Sequence, residues 1–184
     1  MDDLKAIQQC NAGDGNAFGY LVRKYQAEAM GHAAAILGNL EDARDAVQDT
    51  FVAAYQALNR FDESRKFYPW LYTILRNHCF KMLESRQRQV TTSVSEVDLL
   101  AHAAKNSSNV EPAVVERALR ELSPEDRELL TLKYLDGLRY SELAERLEVP
   151  QGTIMSRLYY ARERFRQNML RIQERFDSTE TDNE

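Results

Sequence analysis

Apolar residues return at intervals of three and four along most of this chain, and strict apolar–polar alternation is missing. That spacing stacks side chains on one face of an α-helix and does not suit a half-buried strand. Phe18, Leu21, Val22, Tyr25, Ala29 and Ala33 form one such stripe. Ala46, Val47, Phe51, Ala54, Tyr55 and Leu58 form a second, and Leu71, Ile74, Leu75, Cys79 and Leu83 a third. With 7 Gly and 4 Pro in 184 residues, little punctuates these segments. The pattern predicts an all-α fold, beginning with a compact helical bundle over residues 1–88. The length allows one domain or two small ones of about 60–90 residues.

The chain changes character over residues 89–112, which contain TTSVSEVD and KNSSN and end in Pro112. This reads as a flexible linker, with room for a short helix at LLAHAA. A second helical domain is expected over 113–176. Val114, Leu119 and Leu122 lead into Ser123-Pro124-Glu125-Asp126. Ser as N-cap, Pro in the first turn and an acid three residues on mark a helix start. Leu129, Leu130, Leu132 and Leu135 continue as an apolar stripe until Asp136-Gly137 stops it. Ser141 is expected to cap a short helix with Leu143, Ala144 and Leu147 inside. Glu148-Val149-Pro150 is a tight turn, and a longer helix follows with Ile154, Leu158, Ala161, Phe165 and Met169 inside. Its outer face carries Met155, Ser156, Arg157, Tyr159, Tyr160, Arg162 and Arg164. An ordinary helical hairpin would share this outline. The short first helix, the tight turn and the arginine-rich outer face favour a major-groove reader, whose second helix lays side chains on base edges.

The formal charge of −5 conceals two basic segments. Residues 65–90 carry Arg65, Lys66, Arg76, Lys81, Arg86 and Arg88 against Glu84; residues 150–176 carry six arginines against Glu163 and Glu174. The tail at 177–184, DSTETDNE, is acidic and could screen the nearby arginines. Phosphate binding follows the local field, so the net charge does not exclude nucleic acid. The first basic segment is also aromatic: Phe61, Phe67, Tyr68, Trp70 and Tyr72 lie among its cations. Rings that stack bases beside cations that hold phosphate suit a single strand, while Trp70 with Leu71 and Ile74 would equally suit a core. In the preceding helix, Asp45, Gln48 and Asp49 share a polar face by the i, i+3, i+4 rule. Cys10 and Cys79 form no C-x-x-C pair, and with three His no metal cluster is expected. No cofactor is expected either. No apolar run spans a bilayer and the N-terminus lacks a signal pattern, so a cytoplasmic protein without membrane insertion is expected.

Several of these blocks resemble the extracytoplasmic-function sigma factors of bacterial RNA polymerase. The stretch LSPEDRELLTLKYLDGLRYSELAERLEVPQGTIMSRLYYARERF is similar to that family's region 4. EDARDAVQDTFVAAYQALNRFD is similar to region 2.2, and RKFYPWLYTILRNHCFKMLESRQR to regions 2.3 and 2.4. The resemblance implies a non-enzymatic, dissociable polymerase subunit that selects and melts promoters. Its implied partners are the core enzyme, through the coiled coil of the largest subunit, promoter DNA, and an anti-sigma factor, which in this family is often membrane-anchored.

By the resemblance, Asp45, Gln48 and Asp49, with Phe51 and Tyr55, face the polymerase. Phe61, Arg65, Lys66, Phe67, Tyr68, Trp70, Arg76, Asn77 and Lys81 face the minus-ten element. Asn77 would read a base edge, while Lys81, Arg86 and Arg88 hold phosphates. The helix-turn-helix, from Tyr140 to Tyr159, would present Thr153, Met155, Ser156, Arg157, Tyr159, Tyr160 and Arg162 to the minus-thirty-five element. Here the chain departs from the family's G-T-V-K/R-S-R-L/I-x-R-A-R. It reads G-T-I-M-S-R-L-Y-Y-A-R, so Met155 and Tyr160 stand where cations are frequent. Rival readings are a sigma-like mimic that occupies an anti-sigma factor and a dimeric helix-turn-helix repressor. A mimic would be expected to lose the basic, aromatic surface of residues 61–81; a repressor would need no polymerase-facing helix.

Overall fold

The computed structural model describes residues 1–89 and 112–181, which belong to two compact units. The expected linker, its LLAHAA helix and the last residues of the acidic tail lie outside the described residues.

In the first unit the helices start where short polar side chains can accept from free backbone N–H groups. Asp2 accepts from Lys5 N at 2.8 Å and opens α1 (Asp3–Asn11), a helix the apolar stripes had not singled out. Asp14 accepts from Asn16 N at 3.1 Å at a single 3-10 turn, and α2 (Phe18–Leu37) follows directly. Gly38 closes α2 at φ +73°, a left-handed conformation that favours glycine. Asn39 then caps α3 (Leu40–Ala57) by accepting from Glu41 N at 2.8 Å. After a 3-10 turn and a loop, α4 (Phe67–Gln89) begins, with Pro69 in the first turn, where a missing N–H costs least.

Helices α2, α3 and α4 pack against one another, and α1 packs on α2. Leu21, Ala29, Ala33 and Ile36 of α2, Ala43, Ala46, Phe51 and Ala54 of α3, and Leu71, Tyr72, Leu75 and Cys79 of α4 are buried. Each large side chain so buried contributes about 1.5–3 kcal/mol, and the alanines allow close helix approach. One polar pair belongs to this core. His32 Nδ1 and Tyr68 Oη share a hydrogen bond of 2.7 Å, which satisfies groups that would otherwise be desolvated without compensation.

The second unit contains α5 (Pro112–Arg120), α6 (Pro124–Tyr134), α7 (Tyr140–Leu147) and α8 (Gln151–Thr181), with α8 packed against the other three. Ser123 caps α6 as the sequence predicts, accepting from Asp126 N at 3.2 Å. Leu129, Leu130 and Leu132 are buried, whereas Leu135 lies beyond the helix and is exposed. Ile154, Leu158 and Ala161 are fully buried; Phe165 and Met169 pack on Val114, Ala118 and Ile172. The start of α7 differs from expectation. Arg139, not Ser141, is the cap residue, and the Glu142 carboxylate accepts from Arg139 N at 2.7 Å. The carboxylate three residues on does the capping, so no Ser is needed. The acidic tail also differs, because α8 continues through Thr181. None of the described helices is long and apolar enough to cross a membrane.

Leu158 is fully buried in this second unit. Leu158→Ala should therefore lower unfolding free energy by about 2–5 kcal/mol, the range for buried leucine truncation. Urea denaturation checks this, and a loss below about 1 kcal/mol would contradict the packing.

Candidate polymerase and nucleic-acid interfaces

Three exposed surfaces carry the sequence-predicted residues. On α3, Asp45, Gln48 and Asp49 are exposed and make no hydrogen bond or ion pair with any described residue. The 3.6-residue repeat carries the same face on to Val52 and Tyr55, both about half exposed. Val52 is not named individually from the sequence, although its spacing from Gln48 places it on this face. Phe51 requires a correction. It is buried, 7% exposed, and meets Phe18 edge-on at 6.3 Å, so it supports the face from beneath. An apolar strip flanked by carboxylates suits docking onto a basic helical partner.

The second surface is the loop at 62–66 and the exposed side of α4. Asp62 Oδ1 accepts from Ser64 N at 3.0 Å and Ser64 Oγ at 2.7 Å, a turn in which aspartate replaces a backbone acceptor. The Ser64 hydroxyl, then its N–H, and to a lesser degree Arg65 draw the Asp62 pKa below its ordinary value. Gln8 donates to Glu63 at 2.9 Å and ties the loop to α1. Arg65 and Lys66 point to solvent; Arg65 keeps an exposed ion pair with Asp62 at 3.5 Å.

The rings expected to stack on bases are packed on one another instead. Phe61, Phe67 and Tyr68 are buried. Phe61 lies 5.8 Å from Phe67 and 5.1 Å from Trp70; Tyr25 lies 5.6 Å from Phe67 and stacks on Tyr68 at 5.2 Å. Such clusters bury large areas and form before any ligand arrives. Trp70 is half-buried against them. Two of the expected cations are also engaged. Arg76 lies over the Phe80 ring at 4.6 Å, and Arg86 pairs with Asp42. Arg88 has no described side chain. Thr73, Asn77 and Lys81 are exposed on α4, one turn apart, with the half-buried Trp70 at their N-terminal end and the Thr73 hydroxyl donating to Pro69 O at 3.1 Å. Thr73 had not been singled out.

The third surface is the helix-turn-helix. Tyr140 is half-buried at the start of α7, with Lys133 Nζ 4.8 Å from its ring centroid. Val149 N donates to Ala144 O at 3.1 Å, and Glu148 takes φ +55°, which turns the chain within three residues. From α8, Met155, Ser156, Arg157, Tyr159, Tyr160 and Arg162 are exposed, and Thr153 is half-buried in the first turn. Arg164 is corrected: it forms a two-pronged pair with Asp126 of α6, at 2.6 and 2.8 Å. Those hydrogen bonds raise its pKa further and hold α8 against α6, so Arg164 is a brace for α8.

The chain matches two family profiles, Sigma-70 region 2 over residues 21–89 and Sigma-70, region 4, over residues 113–165. It is similar to the RNA polymerase sigma-H factor of Pseudomonas aeruginosa, 32% identical over 174 residues, 88% of this chain and 90% of the relative. It is similar to the ECF RNA polymerase sigma-E factor of Salmonella typhimurium, 33% identical over 178 residues, 89% and 92% of the two chains. Among solved structures it is similar to the sigma factor RpoE from Bartonella quintana in complex with the anti-sigma factor NepR. That likeness has a TM-score of 0.68 and 28% identity, covering 84% of this chain and 97% of the other.

The buried ring of Tyr68 generates a test of its reassignment. Tyr68→Phe keeps the ring but takes the hydroxyl from His32, and should cost about 1–3 kcal/mol of stability. Chemical denaturation measures the cost. A stability equal to the parent's, combined with a selective loss of DNA binding, would return Tyr68 to the nucleic-acid surface.

Proposed function

This chain belongs to the extracytoplasmic-function sigma factors, which direct RNA polymerase to promoters, and we propose how its surfaces divide that work. The acidic and apolar face of α3, from Asp45 through Gln48, Asp49 and Val52 to Tyr55, docks on the core enzyme. The loop and outer face of α4 take the minus-ten strand: Arg65, Lys66 and Lys81 hold phosphates, while Asn77 reaches a base edge. The helix-turn-helix takes the minus-thirty-five duplex. Catalysis belongs to the polymerase core, and the chain acts where that enzyme does, in the cytoplasm.

The observation that carries this reading is the pair of faces on the first unit. The Asp45, Gln48 and Asp49 side chains of α3 and the Asn77 and Lys81 side chains of α4 have no partner among the described residues. One face is acidic, as a basic protein helix requires, and the other is cationic and amide-bearing, as a nucleic-acid strand requires. The mimic reading expects the second face to be lost. With the rings buried, the discrimination rests on Arg65, Lys66, Asn77 and Lys81, all of which remain exposed. An anti-sigma factor is the regulatory partner, a reading supported by likeness to a sigma factor solved with one.

The deciding experiment is run-off transcription with core polymerase on genomic fragments. Discrete start sites that depend on the chain are expected; a chain that binds an anti-sigma factor but yields no transcript would favour the mimic. Asp49→Arg changes an exposed side chain and should alter stability by no more than about 0.5 kcal/mol. It should weaken co-elution with core polymerase at least about tenfold, since like charges then meet at the contact. Asn77→Ala should preserve core binding while reducing discrimination at one minus-ten base by about 1–3 kcal/mol. Permutation of every minus-ten base shows whether that position exists.

A further inference from the structure

The exposed side of α8 is more apolar than phosphate binding alone requires. Counted from the buried Ile154, Leu158 and Ala161, the opposite side of the helix is Ser156, Tyr159, Tyr160 and the half-buried Glu163. Tyr159 is 60% and Tyr160 58% exposed. Their rings meet edge to face, 5.4 Å between centroids and 79° between planes. Met155, also exposed, lies one turn before Tyr159 on the same side. Arg157 and Arg162 fall on opposite flanks of this patch, and neither has a hydrogen bond or ion pair with a described residue. Single exposed apolar residues are ordinary, but three neighbours on the reading helix, two of them already packed together, form a surface suited to an apolar ligand.

On the reading that α8 enters the major groove of promoter DNA, we infer that Met155, Tyr159 and Tyr160 recognise thymine 5-methyl groups. Arg157 and Arg162 hold phosphates on either side. The minus-thirty-five element of this chain is thus read chiefly through methyl groups, and guanine is not its main determinant.

The chemistry supports that choice. Guanine offers two acceptors that a cation or guanidinium satisfies, while thymine offers a methyl group and one acceptor. The centre of the patch holds no cation. Methionine supplies a flexible apolar stem, and each tyrosine supplies an apolar ring with a single hydroxyl. The Ser156 hydroxyl is turned back to Thr153 O at 3.0 Å. The two tyrosines restrict each other before DNA arrives, so less side-chain freedom is lost on binding. Glu163, the nearby acid, accepts from Arg166 at 2.6 and 3.1 Å and from Gln167 at 3.1 Å, which offsets its repulsion of phosphate.

The test uses the full chain assembled with core RNA polymerase, on a promoter recovered by run-off transcription. Each minus-thirty-five thymine is replaced in turn by deoxyuridine, which removes the 5-methyl group and leaves the base pair intact. A methyl group buried against the patch should make its removal lower affinity about fourfold, from about 0.8 kcal/mol per buried carbon unit. In Tyr159→Ala or Tyr160→Ala, at least one of those losses should shrink below about twofold. Tyr159→Phe and Tyr160→Phe, which keep the rings, should retain the full losses. Equal affinity for thymine and deoxyuridine duplexes overturns the inference, as does an unchanged penalty in both alanine variants or an element without thymine. Absence of any transcript overturns the promoter reading and this inference with it, whereas transcripts without a uridine penalty overturn the inference alone.

Discussion

Phe67 is the first residue of α4 and is 2% exposed. It is held among the rings of Tyr25, Phe61 and Trp70, and the surface of the first unit depends on that packing. The cluster anchors both sides of the loop at 62–66, since Phe61 precedes it and Phe67 ends it. A loop so pinned presents Arg65 and Lys66 from a defined base, and its own turn around Asp62 removes further freedom. Ordering the loop during folding leaves less entropy to lose when a strand binds. The aromatic residues therefore act through rigidity, and on the proposed reading the cations and Asn77 supply the contacts.

The second unit solves a related problem with one long helix. The inner side of α8 is core: Ile154, Leu158 and Ala161 meet the short helices, and Phe165 and Met169 meet α5. Its outer side exposes Met155, Arg157, Tyr159, Tyr160 and Arg162. A single rotation about the helix axis would therefore spoil both. The Arg164–Asp126 pair fixes that rotation, because a planar guanidinium donates two parallel hydrogen bonds to a carboxylate only in a narrow range of orientations. Asp126 sits in the first turn of α6 with its N–H bonded to Ser123, so the brace is fixed at its far end too.

Electrostatics divide along the same lines. Many arginines are paired with acids, among them Arg65 with Asp62, Arg86 with Asp42, Arg120 with Glu116, Arg164 with Asp126, Arg166 with Glu163 and Arg171 with Glu121. Arg157 and Arg162 are exposed and have no such partner among the described residues. A chain with net negative charge can still hold DNA, because the field at short range is set by the unpaired cations.

The all-α class, the two helical domains and the Ser123 cap were legible in the amino-acid sequence, because 3.6-residue periodicity and capping chemistry are local. The same locality revealed the polar face of Asp45, Gln48 and Asp49, and the exposed row of α8. What the sequence could not determine was which aromatic and cationic residues were already taken. Phe61, Phe67 and Tyr68 have the composition of a base-stacking loop, yet each ring finds another ring across the fold. Arg86 and Arg164 have the charge of phosphate anchors, yet their carboxylates come from Asp42 and Asp126, both 38 or more positions away in the chain. Such pairings depend on the approach of helices distant in sequence. Only the tertiary structure decides them, because burial and ion pairing are properties of neighbours in space.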